Sequence, residues 1–101
     1  MYNRRALAIK VASRYMSASH GMTLAQFVEG VSKGFHNKVV FKMTGIDKYE
    51  GMLRTPSGVL HLEVEPSWRD DFDVHVHNMT HGLKYTLSGL ERPEDCVKEL
   101  D

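Results

Sequence analysis

The sequence predicts an α+β fold in which two N-terminal helices pack on one face of a five-stranded antiparallel β-meander, with a short C-terminal helix after it. Three observations carry this prediction. Apolar residues repeat with a helical period over residues 4–35 and with a period of two over residues 39–88. The connections between the predicted strands are short, which is typical of hairpins. Because one face of such a sheet needs an apolar cover, the helices are expected to supply it.

The first predicted helix spans residues 4–19, and Gly21 follows it as a suitable stop. Its apolar residues fill a wide arc of the helical wheel, and polar residues fill the opposite side. The segment holds four cations, Arg4, Arg5, Lys10 and Arg14. No acidic residue occurs before Glu29, so these charges repel one another without compensation. Binding to an acidic protein surface or to phosphates would offset that repulsion. The favoured interpretation is that Arg4 and Arg5 fray with the terminus and that their stems shield apolar surface.

Thr23 begins the second predicted helix, because Gln26 lies three positions later as its reciprocal capping partner. The apolar stripe of this helix consists of Leu24, Phe27, Val28, Val31 and Phe35. Gly30 and Gly34 lie beside that stripe and have two open interpretations. They either admit another backbone close to the helix, or they end the helix, which is the favoured interpretation because glycine is a poor helix former.

Five segments then alternate apolar and polar residues, and each predicts a strand: 39–44, 49–54, 60–65, 72–77 and 83–88. Residues 55–58, with the sequence Thr-Pro-Ser-Gly, have the composition of a type I turn. Pro93 followed by two acids fits the first turn of a short C-terminal helix. Since no stretch has the composition of a linker, residues 1–101 are expected to form one domain.

Histidines and acids alternate along the polar side of the third and fourth predicted strands. Matching apolar residues across these strands gives the expected pairs Leu62–Val76, Val64–Val74, His61–His77, Glu63–His75 and Glu65–Asp73. Imidazoles and a carboxylate then converge at His61, Glu63, His75 and His77, and these groups are ligands of zinc and related metals. Three interpretations stay open: a solvated sheet face, which is favoured, a metal site, and a pH-responsive cluster.

The charges are sorted along the chain. Residues 1–48 hold eight Lys and Arg against two acids, a formal charge of +6, whereas residues 49–101 hold five against eleven, a charge of −6. Such a charge asymmetry bears on which partners the protein attracts and on how electrostatics steers their encounter, not on the fold. Two oppositely charged surfaces also fit self-association, head to tail or as a symmetric dimer. The sequence pI of about 7.0 disfavours nucleic acid as the partner.

The loop at residues 66–71 carries the single tryptophan, Trp68, beside Arg69. Trp and Arg often anchor protein interfaces, so these two residues are candidate partner contacts. The alternative, which is favoured, is that Trp68 folds back and caps the core. Cys96, the single cysteine, lies among acids that disfavour its thiolate, and it is therefore interpreted as a packing residue.

No nucleophile motif, phosphate-binding glycine loop or specified acid pair is present, so the sequence predicts a non-catalytic protein without a cofactor. A single cysteine and the lack of an apolar run near ~20 residues predict a cytoplasmic protein without a membrane segment. The expected function is a regulator or inhibitor that occludes a protein partner, as small accessory proteins of viruses and mobile elements do. The alternatives are nucleic-acid binding by the basic first helix and metal binding by the histidine-bearing sheet face.

Overall fold

The computed structural model describes residues 21–101. These residues form α1 (Leu24–Gly34), β1 (Lys42–Gly45), β2 (Lys48–Thr55), β3 (Gly58–Pro66), β4 (Phe72–Asn78), β5 (Leu83–Leu90) and α2 (Pro93–Leu100). The strands make one antiparallel sheet in the order β1-β2-β3-β4-β5, which confirms the predicted meander. No helix within residues 21–101 is long and apolar enough to cross a membrane.

The start of α1 is the capping box expected from the sequence. The Gln26 backbone N–H donates to Thr23 Oγ1 at 3.1 Å, and the Thr23 backbone N–H donates to Gln26 Oε1 at 2.9 Å. These bonds satisfy two of the donors that the first helical turn leaves without partners. One face of α1 is buried through Phe27, Val28 and Val31, so the helix docks on one side only.

The predicted pair of N-terminal helices is wrong. Among residues 21–101 one helix, α1, precedes the sheet, and the other predicted helix, residues 4–19, lies outside the described part of the chain. The helix that packs against α1 is α2, from the opposite end of the sequence.

The two glycines of α1 give the physical reason for this pairing. A Cβ added to Gly30 would lie 2.4 Å from Pro93 Cγ, and one added to Gly34 would lie 2.5 Å from Val97 Cγ2. Real Cβ atoms do not approach another carbon that closely, so a side chain at either position would clash with α2. The two glycines therefore allow α2 to pack against α1. The helix also ends at Gly34. Both interpretations of the glycines therefore apply, and the disfavoured one determines the packing of the helices.

The core lies between the helix pair and one face of the sheet. Its fully buried members include Phe27, Val31, Val39, Leu62, Val64, Val74 and Cys96. The rings of Phe27 and Phe72 stack with their centroids 4.3 Å apart, which joins α1 to β4. The expected pairs Leu62–Val76 and Val64–Val74 are confirmed. We call the opposite face of the sheet, which points away from the helices, the outer face.

Cys96 belongs to this core, as its interpretation as a packing residue predicted. Burial raises the pKa of its thiol to about 12, so desolvation, rather than the acidic neighbours in sequence, suppresses the thiolate.

We expect the thiol of Cys96 in the folded protein not to react with an aromatic disulfide reagent for hours at about pH 8. One equivalent should react once denaturant unfolds the chain. Stoichiometric release of chromophore from the folded protein within minutes would contradict the placement of Cys96.

Candidate functional site

The loop between β3 and β4 holds the most exposed aromatic side chain of residues 21–101. Trp68 is 86% exposed, so the alternative in which it folds back on the core is wrong. Isolated apolar side chains on a surface are ordinary, but a tryptophan exposed to this extent is not, because Trp is usually well buried. The side chain is therefore positioned to contact something other than its own core.

Hydrogen bonds fix the backbone of this loop, which we call the Trp68 loop (Ser67–Asp71). The Ser67 backbone N–H donates to the Asp71 carbonyl oxygen at 2.8 Å, and Ser67 Oγ donates to Asp71 Oδ1. The Arg69 backbone N–H donates to Ser67 Oγ at 3.0 Å. Asp70 adopts a φ of +63°, a left-handed conformation that Asp tolerates better than most residues. The loop thus holds Trp68 on a constrained backbone.

The guanidinium group of Arg69 packs over the indole ring of Trp68. Its Cζ lies 4.8 Å from the centroid of the Trp68 ring, within the range of a cation–π contact. At an exposed site such a contact contributes about 0.5–1 kcal/mol, enough to favour one orientation of the two side chains. The candidate contacts Trp68 and Arg69 are therefore one surface unit.

Four acidic residues lie close to this unit along the chain. We call Glu65, Asp70, Asp71 and Asp73 the acidic rim: two follow the arginine within the loop, and two lie where the adjoining strands meet it. Glu65 and Asp73 are directly opposite each other in the sheet, as expected. His75 Nε2 lies 2.7 Å from Glu65 Oε2 and relieves part of the repulsion between these two acids. Arg69 is the single cation of residues 65–73, against these four acids.

The outer face of the sheet carries the histidines in the predicted register. His61 is opposite His77, and Glu63 is opposite His75. The contacts of these histidines with carboxylates run diagonally, whereas the contact of His75 with Thr86 joins two residues that are directly opposite each other on β4 and β5. His61 Nε2 lies 2.9 Å from Oε1 of Glu50 on β2. His75 uses both ring nitrogens, Nε2 toward Glu65 and Nδ1 toward Thr86 Oγ1 at 2.9 Å.

Glu50 is the member of this cluster that the sequence reasoning missed. Hydrogen bonds from Thr44 and His61 hold the pKa of its carboxyl below the usual value, because they favour the ionised form. The turn at residues 55–58 could have revealed it. That turn sets the register of β2 and β3, which puts Glu50 opposite Glu63 and beside His61.

The four predicted metal ligands share the outer face without forming one ligand set. In residues 21–101 no group of three or more His, Cys, Asp or Glu side chains is placed to hold a metal ion. His61 contacts the carboxylate of Glu50, and His75 contacts that of Glu65, so the two imidazoles have no carboxylate in common. The arrangement consists of two independent His–carboxylate pairs.

The charge sorting along the sequence does not become two separate surfaces in the described residues. Lys42 is opposite Glu50, and Lys48 Nζ lies 3.9 Å from Glu63 Oε2, so both signs share the outer face. The four cations of the basic first helix, Arg4, Arg5, Lys10 and Arg14, lie outside the described residues. The acidic rim around Trp68 is the local concentration of one charge that bears on binding.

Two surfaces thus carry the predicted site residues, and they differ in kind. The outer face pairs its polar groups with one another, whereas the Trp68 loop presents an apolar side chain that its own fold leaves uncovered. Comparison with known proteins adds no relative to this description: no family model matches the chain, and no curated protein or solved structure is significantly similar to it.

Proposed function

We propose that this protein is a non-catalytic regulator that binds a protein partner through the Trp68 loop and acts by occluding the bound surface. The observation that carries the proposal is the exposure of Trp68 on a hydrogen-bonded loop. A buried Trp removes about 150–250 Å² from water, which corresponds to about 4–6 kcal/mol before the costs of association. One such anchor supplies a large share of the free energy of a typical interface.

The fixed loop reduces what association costs. Ordering a flexible loop on binding consumes part of the contact free energy, at about 0.5–1.5 kcal/mol for each immobilised side chain. The bonds from Ser67 to Asp71 and from Arg69 to Ser67 exist without a partner, and Arg69 already covers one face of the indole. Little ordering therefore remains to be done when Trp68 enters a pocket.

The acidic rim indicates the chemistry of the partner. Carboxylates around an apolar anchor favour an apolar recess edged by Lys or Arg, because complementary charge accelerates encounter and disfavours wrong partners. The same carboxylates repel a phosphate backbone, so the loop favours a basic protein over nucleic acid. The nucleic-acid alternative depends on Arg4, Arg5, Lys10 and Arg14, which lie outside the described residues.

The test compares Trp68→Ala with Met79→Ala, a matched truncation of another exposed apolar side chain in the β4–β5 turn, at the opposite end of β4. Partners are captured from nuclease-treated lysate, and the affinity of each recovered protein is then measured by calorimetry. We expect Trp68→Ala to weaken binding at least about 30-fold, as loss of an interface anchor does. Met79→Ala should bind like the natural protein.

Tryptophan fluorescence gives an independent readout, because Trp68 is the single indole. Its emission should resemble that of a solvated indole in the free protein and shift to shorter wavelength in the complex. Full binding by Trp68→Ala, or loss of the captured partner after nuclease treatment, would contradict the proposal. A complex in which the emission stays unshifted would equally exclude Trp68 as the anchor.

A further inference from the structure

The two edges of the sheet are protected very differently. An exposed strand edge offers unpaired N–H and C=O groups, and proteins normally shield it with short strands, irregularities or charges. β1 has these features: it is four residues long, its register shifts between Met43 and Gly45, and Lys42 lies on it. β5 has fewer of them: it is eight residues long with Lys84 as its single charge, and its one register shift against β4 lies near its end, between Leu87 and Leu90. No further strand pairs with β5 among residues 21–101.

β5 also leaves part of the sheet's apolar layer uncovered. Leu83 is 62% exposed and Tyr85 is 45% exposed. Their opposite neighbours on β4 are Asn78 and Val76, which are both buried, so all four side chains belong to the face that the helices cover elsewhere. Within residues 21–101 the core layer therefore continues sideways beyond the helices to an edge with which no further strand pairs.

We propose that β5 pairs antiparallel with β5 of a second copy of this chain, about a two-fold axis at Thr86, and joins the two sheets into one of ten strands. Side chains alternate between faces, so symmetric pairing keeps the apolar residues of both copies on the same side. Tyr85 then lies opposite Leu87 of the second copy. Cross-strand pairs of an aromatic and an aliphatic residue are among those that stabilise sheets.

Charge favours a second copy as the occupant of this edge. The formal net charge of the chain is +0, so two copies meet without long-range repulsion. Centring the pair on Thr86 separates the two Lys84 residues by about 14 Å along the strands, which is beyond the screening length at physiological salt. The strongest like-charge contact on the edge is thereby avoided.

The same register joins two charges that have no ion-pair partner within residues 21–101, Lys84 and Asp73. Lys84 lies opposite Ser88 of the second copy. Asp73 of that copy is two strands away, about 10 Å between backbones, within the combined reach of the two side chains. Both residues are on the outer face, so a solvent-accessible ion pair can form on each side of the axis.

Sedimentation equilibrium of the full chain tests the proposal. We expect twice the monomer mass of 11.5 kDa at micromolar concentration. Leu83→Glu should restore the monomer mass, because it places carboxylates in the apolar strip that dimerisation buries. The matched control is Met43→Glu, since Met43 is 63% exposed on the other edge strand and should leave the dimer intact. Circular dichroism confirms folding of both variants.

A charge exchange tests the register. Lys84→Asp and Asp73→Lys should each weaken the dimer about tenfold, and the double variant should recover the natural dissociation constant. A natural protein of monomer mass at all concentrations would overturn the proposal, even if β5 then captured a strand of another protein. Dissociation by Met43→Glu would also overturn it, and failure of the double variant to recover would overturn the register about Thr86.

Discussion

Replacing Phe27 by alanine is expected to lower the free energy of unfolding by about 3–5 kcal/mol. Phe27 is fully buried, and its ring stacks on that of Phe72 at 4.3 Å between centroids. The contact joins α1 to β4, so the truncated side chain leaves a cavity between the helical layer and the sheet. Such a cavity costs the transfer free energy of the ring and also the lost packing around it.

Urea unfolding followed by circular dichroism measures this loss at fixed protein concentration. Trp68→Ala is the matched control, because it removes a larger aromatic side chain from an exposed position. We expect that variant to change stability by no more than about 1 kcal/mol, the size of the exposed contact with Arg69 that it removes. A loss below about 1 kcal/mol for Phe27→Ala would contradict the core described above. Equal losses for the two variants would remove the distinction between core and binding aromatics.

Local signals in the sequence were sufficient for the elements and for much of the strand pairing. The Thr23–Gln26 spacing predicts the start of α1 because both halves of a capping box lie within one helical turn. The alternation of Leu62 and Val64 with polar residues fixes the register of β3 against β4, since a shift of one residue would expose the core face.

Contacts between distant segments were beyond such reasoning. The pairing of α1 with α2 depends on Gly30 and Pro93, which no local periodicity connects. A helix at residues 4–19 was expected to cover the sheet because its pattern is amphipathic, yet amphipathicity does not identify what the apolar side contacts. The partner helix therefore had to come from the three-dimensional arrangement.

The candidate site shows the same limit at the scale of side chains. Register places His61 opposite His77, but the imidazole contacts Glu50 on the other neighbouring strand, because diagonal neighbours are within reach of long side chains. The exposure of Trp68 also differs from the prediction: a core cap was the favoured interpretation of this loop tryptophan, whereas its side chain is 86% exposed. The hydrogen bonds between Ser67 and Asp71 depend on loop geometry, which no local pattern in the sequence specifies.

Gly30→Val should destabilise the protein by about 3 kcal/mol, at the upper end of what overpacking usually costs. Its Cβ would meet Pro93 Cγ at 2.4 Å and Pro93 Cβ at 2.7 Å, before the two methyl groups are considered. Proline is a rigid ring at the first turn of α2, so it cannot rotate away as a flexible side chain does. Removing a helical glycine offsets this by less than about 1 kcal/mol.

The same substitution at Gly45 is the control, because the nearest atom to an added Cβ there is Lys48 Cβ at 3.7 Å, an ordinary contact. Gly45→Val should change the free energy of unfolding by less than about 0.5 kcal/mol.

A double-mutant cycle at the contact between Gly34 and Val97 isolates the steric clash. Gly34→Ala should be destabilising alone and tolerated with Val97→Ala, which removes the methyl group at 2.5 Å. If Gly30→Val unfolded at the natural midpoint, or if Gly34→Ala and Val97→Ala were simply additive, these glycines would not be what allows α1 and α2 to pack.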